Sequence, residues 1–141
     1  TGIRIAFDCH SMLPFGLPGQ KDAKKARPLI CLGNNGDGSG EPHPDSITTC
    51  PPGWIRALAD TFEHEFAHPG SVAINDPFSG GFIANAHYWH KGIPWIQIEV
   101  NRSLYERLPA DRVSLPASPS RVQELREKIW KIVTEFWDGT G

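Results

Sequence analysis

The chain has 141 residues, of which 39% are hydrophobic and 21% are charged, a composition typical of a folded globular domain rather than a disordered segment. The net charge of −2 and the lack of a basic stripe give no expectation of nucleic-acid binding. No apolar run approaches the roughly 20 residues that cross a bilayer, so no membrane partner is expected. Three cysteines form neither an even disulfide set nor a CxxC pair, which favours a reducing, cytoplasmic location: Cys9, Cys31 and Cys50.

Apolar periodicity predicts strands and helices in alternation along the chain. Strands are predicted over residues 3–8, 29–33, 71–75 and 94–100. A helix is predicted over 52–66, where Pro52 suits the first turn and His68-Pro69-Gly70 is a strong stop. A last helix starts near Ser120, which with Gln123 makes a capping box. Strands separated by helices predict an α/β layered fold, as a single domain over 1–141.

The first loop carries four cations, a cluster that is most often only a solvated loop: Lys21, Lys24, Lys25 and Arg27. Glycine and proline crowd into residues 14–19, 33–53 and 76–81. Long loops of this composition inside a compact domain are uncommon unless they have a function.

In α/β folds the functional residues usually lie at the carboxyl ends of the strands. Residues 8–11, 75–76 and 99–102 follow predicted strands in this way. His10 follows the first predicted strand, two residues after Asp8, which could hold its ring in the tautomer that binds zinc. The alternative is a partly buried histidine bonded to backbone. Glu99 ends an apolar strand, where burial would raise its pKa and suit it to proton transfer. Its alternatives are a glutamate facing solvent or one paired with Arg102.

Two weaker candidates follow. Arg102 could clamp a substrate carboxylate through its planar fork of donors, although most arginines are surface residues. His87 opens the stretch 87–90, which follows Gly80-Gly81; glycines there would let the backbone approach a ligand closely. The alternative for this stretch is a tight turn and an aromatic packing cluster.

Residues 64–68 read H-E-x-x-H, a zinc-peptidase signature in which two histidines one helical turn apart bind metal. Pro69 directly follows the second histidine and disfavours helical geometry there. The apolar face of this helix includes neither His64 nor His68, so both are expected to face solvent. A peptidase centred on His64, Glu65 and His68 is therefore kept only as an alternative.

Three segments together resemble the N-formylglutamate amidohydrolase family in order and spacing. They are DCHSM at residues 8–12, NDPFSGGFI at 75–83 and QIEVNRSLY at 97–105, and the Leu32-Gly33 turn lies where that family has one. The resemblance implies a three-layer α/β/α fold with a mixed sheet, similar to zinc carboxypeptidases. It also implies one zinc ion and hydrolysis of the amide of an N-acyl amino acid such as N-formylglutamate.

By motif, the resemblance assigns His10 as a zinc ligand and Glu99 as general base and acid, with Arg102, Asn75 and His87 as substrate-binding candidates. Family members are longer, and their amino-terminal part carries the other zinc ligands. The chain is therefore expected to correspond to the carboxy-terminal part of such a domain, with a missing amino-terminal segment or a second chain as partner. A non-catalytic ligand-binding domain with an incomplete zinc site is the remaining alternative.

Overall fold

The computed structural model describes residues 2–106 and 118–139. These residues contain four strands: β1 (Ala6–Met12), β2 (Ile30–Gly33), β3 (Val72–Ile74) and β4 (Trp95–Asn101). They also contain three α-helices and one short 3-10 helix: α1 (Pro52–Phe66), α2 (Phe82–Lys91), α3 (Pro119–Gly139) and the 3-10 turn Arg102–Leu104. None of the helices in this described part is long and apolar enough to cross a membrane.

The strands form one mixed sheet in the order β1-β4-β2-β3. β1 runs parallel to β4, and β2 runs parallel to β3, while β4 and β2 are antiparallel. The carboxyl ends of β1 and β4 therefore lie at one edge of the sheet, and those of β2 and β3 lie at the opposite edge. This arrangement confirms the predicted α/β fold with a mixed sheet.

One face of the sheet is apolar because side chains alternate along each strand. Ile30, Leu32, Ile96 and Ile98 point to this face and are almost wholly buried. They form one core with the apolar stripes of α1 and α3, whose buried members are Ile55, Leu58 and Phe62, then Ile132 and Phe136. Burying each such side chain stabilises the fold by about 1.5–3 kcal/mol.

The opposite face carries polar side chains and the remaining helix. Trp95 lies on the same side of β4 as Glu99, because the two are four positions apart and side chains alternate between the faces of a strand. The ring of His87, on α2, stacks on Trp95 with their centroids 5.1 Å apart. α2 therefore lies on the face opposite α1 and α3, which gives three layers.

Three predictions about the elements were wrong. β1 begins at Ala6 and extends to Met12, so His10 lies within the strand and not in a loop after it. Residues 87–90 belong to α2, for which no helix was predicted. α3 begins at Pro119, and Gln123 bonds Glu127 one turn later, 2.6 Å away, instead of closing a capping box. β1 extends because β4 pairs with it over its whole length.

Candidate active site

The polar face of the sheet brings together ionisable side chains from β1 and β4. Asp8 is the register partner of Gln97, and His10 is that of Glu99. Neighbouring strands are about 4.8 Å apart, so partners on one face are side by side. The pairing therefore unites two of the groups that the sequence places far apart.

Asp8 holds the His10 ring. Asp8 Oδ1 lies 2.8 Å from His10 Nε2, and the two side chains are 11% and 41% exposed respectively. A carboxylate in this position orients the imidazole and fixes its tautomer. Because Nε2 is occupied by this contact, Nδ1 is the nitrogen left for a ligand.

Glu99 is a buried carboxyl group, 7% exposed, so the alternative of a solvent-facing glutamate is wrong. Gln97 Nε2 donates a hydrogen bond to Glu99 Oε1 over 2.9 Å. Burial raises the pKa of Glu99; Asp8 adds to the rise, while His10, Arg27 and the Gln97 hydrogen bond oppose it. A carboxyl group of this kind is suited to accept a proton and return it.

Arg27 was interpreted as part of a solvated loop, and that interpretation is wrong. Its side chain is only 4% exposed and pairs with Asp22 at 2.7 Å. It also donates to Gln20 Oε1 at 2.6 Å, and its guanidinium lies 4.9 Å from the centre of the Phe78 ring. In the sequence, only its position just before a buried strand separates it from the three lysines of that loop. Arg27 thus ties the first loop to the turn after β3.

The turn after β3 lies against the polar face. A Cβ atom at Gly33 would meet Ser79 backbone carbon at 2.7 Å, and one at Gly81 would lie 3.8 Å from Asp8 Oδ2. The thiol of Cys31, on the same face, donates to the carbonyls of Asp76 and Phe78. Burial, the largest influence, raises the pKa of Cys31 to about 11.

Asn75, at the start of this turn, has a left-handed backbone with a φ of 57°. Its amide is engaged within the protein: Nδ2 donates to Asn34 Oδ1 at 2.8 Å and to Asp37 O at 2.6 Å, and Oδ1 accepts from Asn34 N. These contacts hold the glycine-rich loop after β2. A substrate contact by Asn75 stays a prediction.

Arg102 and His87 lie at opposite ends of β4. Arg102 Nε lies 3.4 Å from Ser11 Oγ, where β1 and β4 end together. His87 stacks on Trp95, the first residue of β4. The structure therefore brings Arg102, but not His87 or Asn75, to the edge where the strands carrying His10 and Glu99 end.

A family model of N-formylglutamate amidohydrolase matches residues 1–106, which include all of the polar-face residues of β1 and β4. The chain belongs to the N-formylglutamate amidohydrolase family. No curated protein matches the chain.

A solved structure supports the same fold for this family member. The crystal structure of N-formylglutamate amidohydrolase from Ralstonia eutropha JMP134 superposes with a TM-score of 0.64 at 21% sequence identity. The match covers 96% of this chain and 44% of that chain. This family member therefore spans less than half the length of the solved relative.

The H-E-x-x-H segment lacks the geometry of a zinc-peptidase helix. α1 ends at Phe66, and Ala67 turns left-handed with a φ of 49°, so His68 lies beyond the helix. Glu65 forms an ion pair with Lys131 on α3. The sequence-based expectation that the helix stops here is confirmed.

The polar face provides only part of a zinc site. His10 has suitable donor chemistry, and Asp8 Oδ2 is buried with no hydrogen-bond partner among the residues that the structure describes. A catalytic zinc usually takes three protein ligands. Across residues 2–106 and 118–139, no group of three or more His, Cys, Asp or Glu side chains could hold a metal ion. The described residues of this family member do not fit zinc as a complete ligand set.

Proposed function

We propose that the protein hydrolyses the amide bond of an N-acyl amino acid, with N-formylglutamate as the example, giving formate and the free amino acid. Family membership supports an amidohydrolase reaction on such a compound. The observation that carries the proposal is the buried Glu99 carboxyl beside His10 on the polar face of the sheet.

Glu99 acts in this proposal as general base and then as general acid. It takes a proton from the water whose oxygen bonds to the acyl carbon, and it returns that proton to the nitrogen as the carbon–nitrogen bond breaks. The raised pKa of Glu99 supports this role, because the group that takes the proton must also hold it until the amine departs. Its hydrogen bond from Gln97 fixes one carboxylate oxygen and leaves the other for the water.

Arg102 is the proposed partner of the substrate carboxylate. Its position beside Ser11, at the edge where β1 and β4 end, supports this role. Asn75 and His87 are retained as further substrate-binding candidates, with less support because their side chains already contact Asn34, Asp37 and Trp95.

Zinc enters the proposal through the family resemblance, with His10 as one ligand. A bound zinc ion would lower the pKa of water and polarise the acyl oxygen. The remaining ligands would come from an amino-terminal segment or a second chain, because the described residues offer no further cluster. A cytoplasmic location completes the proposal and is supported by three free thiols.

Zinc content per chain after dialysis tests the metal assignment. We expect His10→Ala to reduce bound zinc, and His64→Ala to leave it unchanged because His64 belongs to the broken peptidase motif. Loss of zinc with His64→Ala alone would favour the peptidase. Absence of zinc from every sample would mean that this chain alone is an incomplete or non-catalytic half.

Product analysis tests the reaction. Incubation of N-formyl-L-glutamate with the zinc-loaded protein, assembled with its amino-terminal segment or second chain, should release formate and glutamate in equal amounts, while casein stays intact. Arg102→Gln should raise KM with little change in kcat if Arg102 binds the substrate carboxylate. Cleavage of casein without formate release would contradict the proposal.

A further inference from the structure

Asn101, the last residue of β4, has a side-chain amide that is hydrogen-bonded at both ends and buried, with the residue only 2% exposed. Its Nδ2 donates to Pro28 O at 2.9 Å and to Arg27 O at 3.3 Å. Its Oδ1 accepts from Ser103 N at 3.0 Å. The backbone N–H of Asn101 also donates to Leu29 O at 2.9 Å. Three consecutive carbonyl groups therefore accept hydrogen bonds from this one asparagine.

The Asn101 amide continues the contact between β4 and β2 beyond the end of their ladder. The two strands are antiparallel, and their pairing ends where Ile30 lies opposite Val100. The segment that leads into β2 contains Pro28, which has no N–H and cannot donate to a further ladder. The side-chain donors of Asn101 bind the carbonyls of this segment instead. The end of β4 is thereby fixed to a segment that is not itself a strand.

The same amide holds the start of the turn that carries Arg102. This 3-10 turn follows β4 directly, and Asn101 caps it by accepting from the Ser103 N–H. The Arg102 carbonyl accepts in turn from Tyr105 N at 3.1 Å and from Glu106 N at 2.7 Å. The turn is therefore a hydrogen-bonded unit that begins on the Asn101 side chain.

Both ends of the amide are needed for this arrangement. A carboxamide offers two donor protons and an acceptor oxygen, whereas a carboxylate only accepts and a leucine side chain does neither. A buried polar group that loses its partner costs the free energy of its lost hydration. Aspartate or leucine, although similar in size to asparagine, would therefore leave buried backbone groups unpaired at this place.

We infer that Asn101 is a positioning residue for Arg102: its buried amide fixes the turn so that the Arg102 guanidinium lies at the edge where β1 and β4 end. At that edge Arg102 Nε lies 3.4 Å from Ser11 Oγ. The inference rests on the proposed role of Arg102 in binding the substrate carboxylate. Asn101 acts through Arg102, because its own amide is committed to backbone groups of residues 27, 28 and 103.

Amide hydrogen exchange in the isotope-labelled chain tests the positioning without any substrate. Asn101→Leu removes both ends of the amide while nearly keeping its shape. We expect the Ser103 N–H, which loses its acceptor, to exchange roughly tenfold faster with water. We also expect loss of the nuclear Overhauser contact between the Arg102 Nε proton and the Ser11 β-protons.

Asn34→Leu is the matched control for this experiment. Asn34 is also fully buried and bonded at both ends, since Nδ2 donates to Gly40 O at 2.9 Å and Oδ1 accepts from Gly36 N at 3.2 Å. It follows β2 at the opposite edge of the sheet from Arg102. The control should therefore leave the exchange of Ser103 and the contact of Arg102 unchanged.

Native exchange at Ser103 with an intact Arg102–Ser11 contact in a folded Asn101→Leu chain would overturn the inference. If that variant does not fold, Asn101→Asp replaces it, because aspartate keeps an acceptor for the Ser103 N–H and loses only the donors to residues 27 and 28. The Arg102–Ser11 contact should again be lost, and its persistence would equally overturn the inference.

A double-mutant cycle separates positioning from a general structural role. It is measured with N-formyl-L-glutamate on the zinc-loaded protein, assembled with its amino-terminal segment or second chain. The Asn101 variant should raise KM with little change in kcat, as Arg102→Gln does. The double variant should have the KM of Arg102→Gln alone, because Asn101 acts through Arg102; effects that simply add would overturn the inference. A native assembly that releases no formate, together with the expected exchange results, would count against the proposed function alone.

Discussion

Gly33 lies where two backbone segments are too close for a side chain, and Gly33→Ala tests that packing. The added Cβ would meet Ser79 carbon at 2.7 Å, Gly80 nitrogen at 2.8 Å and Ser79 oxygen at 2.9 Å. The shortest of these distances falls about 0.7 Å below the 3.4 Å at which ordinary contact begins. All three atoms are backbone, so the 79–80 turn itself must withdraw from the polar face.

Overpacking of this kind costs about 1–3 kcal/mol of unfolding free energy. For a domain of this size the melting temperature should fall by roughly 3–10 °C, followed by far-UV circular dichroism. Gly53→Ala is the matched control, because Gly53 lies in α1 and no described residue comes within 4 Å of the added Cβ. Alanine favours a helix over glycine by about 0.5–1 kcal/mol, so the control should melt no lower than the native chain. A Gly33→Ala chain as stable as the native one would refute the packing argument.

Two further predictions follow from the ionisable groups. The hydrogen bond from Arg27 is the largest of the influences that lower the pKa of Asp22. The pair therefore stabilises the fold at pH values above about 3.9, the pKa of an unfolded Asp. This stabilisation is lost as the pH falls through the lower pKa that Asp22 has in the folded chain. In Arg27→Met the urea midpoint of unfolding should therefore depend less on pH in the acidic range. An unchanged pH dependence would contradict the stabilising role of the Arg27–Asp22 pair. Alkylation at pH 8, followed by mass spectrometry, should show that the exposed Cys9 is modified before Cys31 and Cys50. Burial raises the pKa of Cys31 to about 11 and that of Cys50 to about 12. Faster modification of either buried thiol would contradict the structure.

Elements with strong local signals were predictable from the sequence. The helix over Pro52–Phe66 has its predicted bounds because its apolar stripe, its proline start and its stop all lie within one segment. α2 lacks such a stripe: of its residues only Ala84 is buried, while Phe82, Ile83 and Trp89 are 86%, 47% and 71% exposed. No periodic pattern could therefore identify it.

The site was predictable in its residues but not in its arrangement. His10 and Glu99 could be singled out by residue type and local context, yet their adjacency arises from the parallel pairing of β1 with β4, which are distant in sequence. The segment after β3 reaches the site by a different route from the expected one. Because β3 runs antiparallel to β4, its carboxyl end lies at the opposite end of the sheet, and the turn that follows crosses the polar face to bring Gly81 beside Asp8. The burial of Arg27 likewise depends on Asp22 and Phe78, which no local pattern connects.

Formate release from N-formyl-L-glutamate tests the central claim most directly. It is measured on the zinc-loaded protein, assembled with the amino-terminal segment or second chain that supplies the remaining zinc ligands, beside Glu99→Gln and Glu65→Gln in the same assembly. Glu65 is the matched control because it is the glutamate of the alternative peptidase motif. It lies on α1 and pairs with Lys131 of α3, on the other side of the sheet from the polar face. Removal of a positioned general base and acid lowers turnover by roughly 100- to 10,000-fold. We predict that loss for Glu99→Gln and native turnover for Glu65→Gln. Native turnover in Glu99→Gln, or loss only in Glu65→Gln, would contradict the assignment of the active site to the polar face of the sheet.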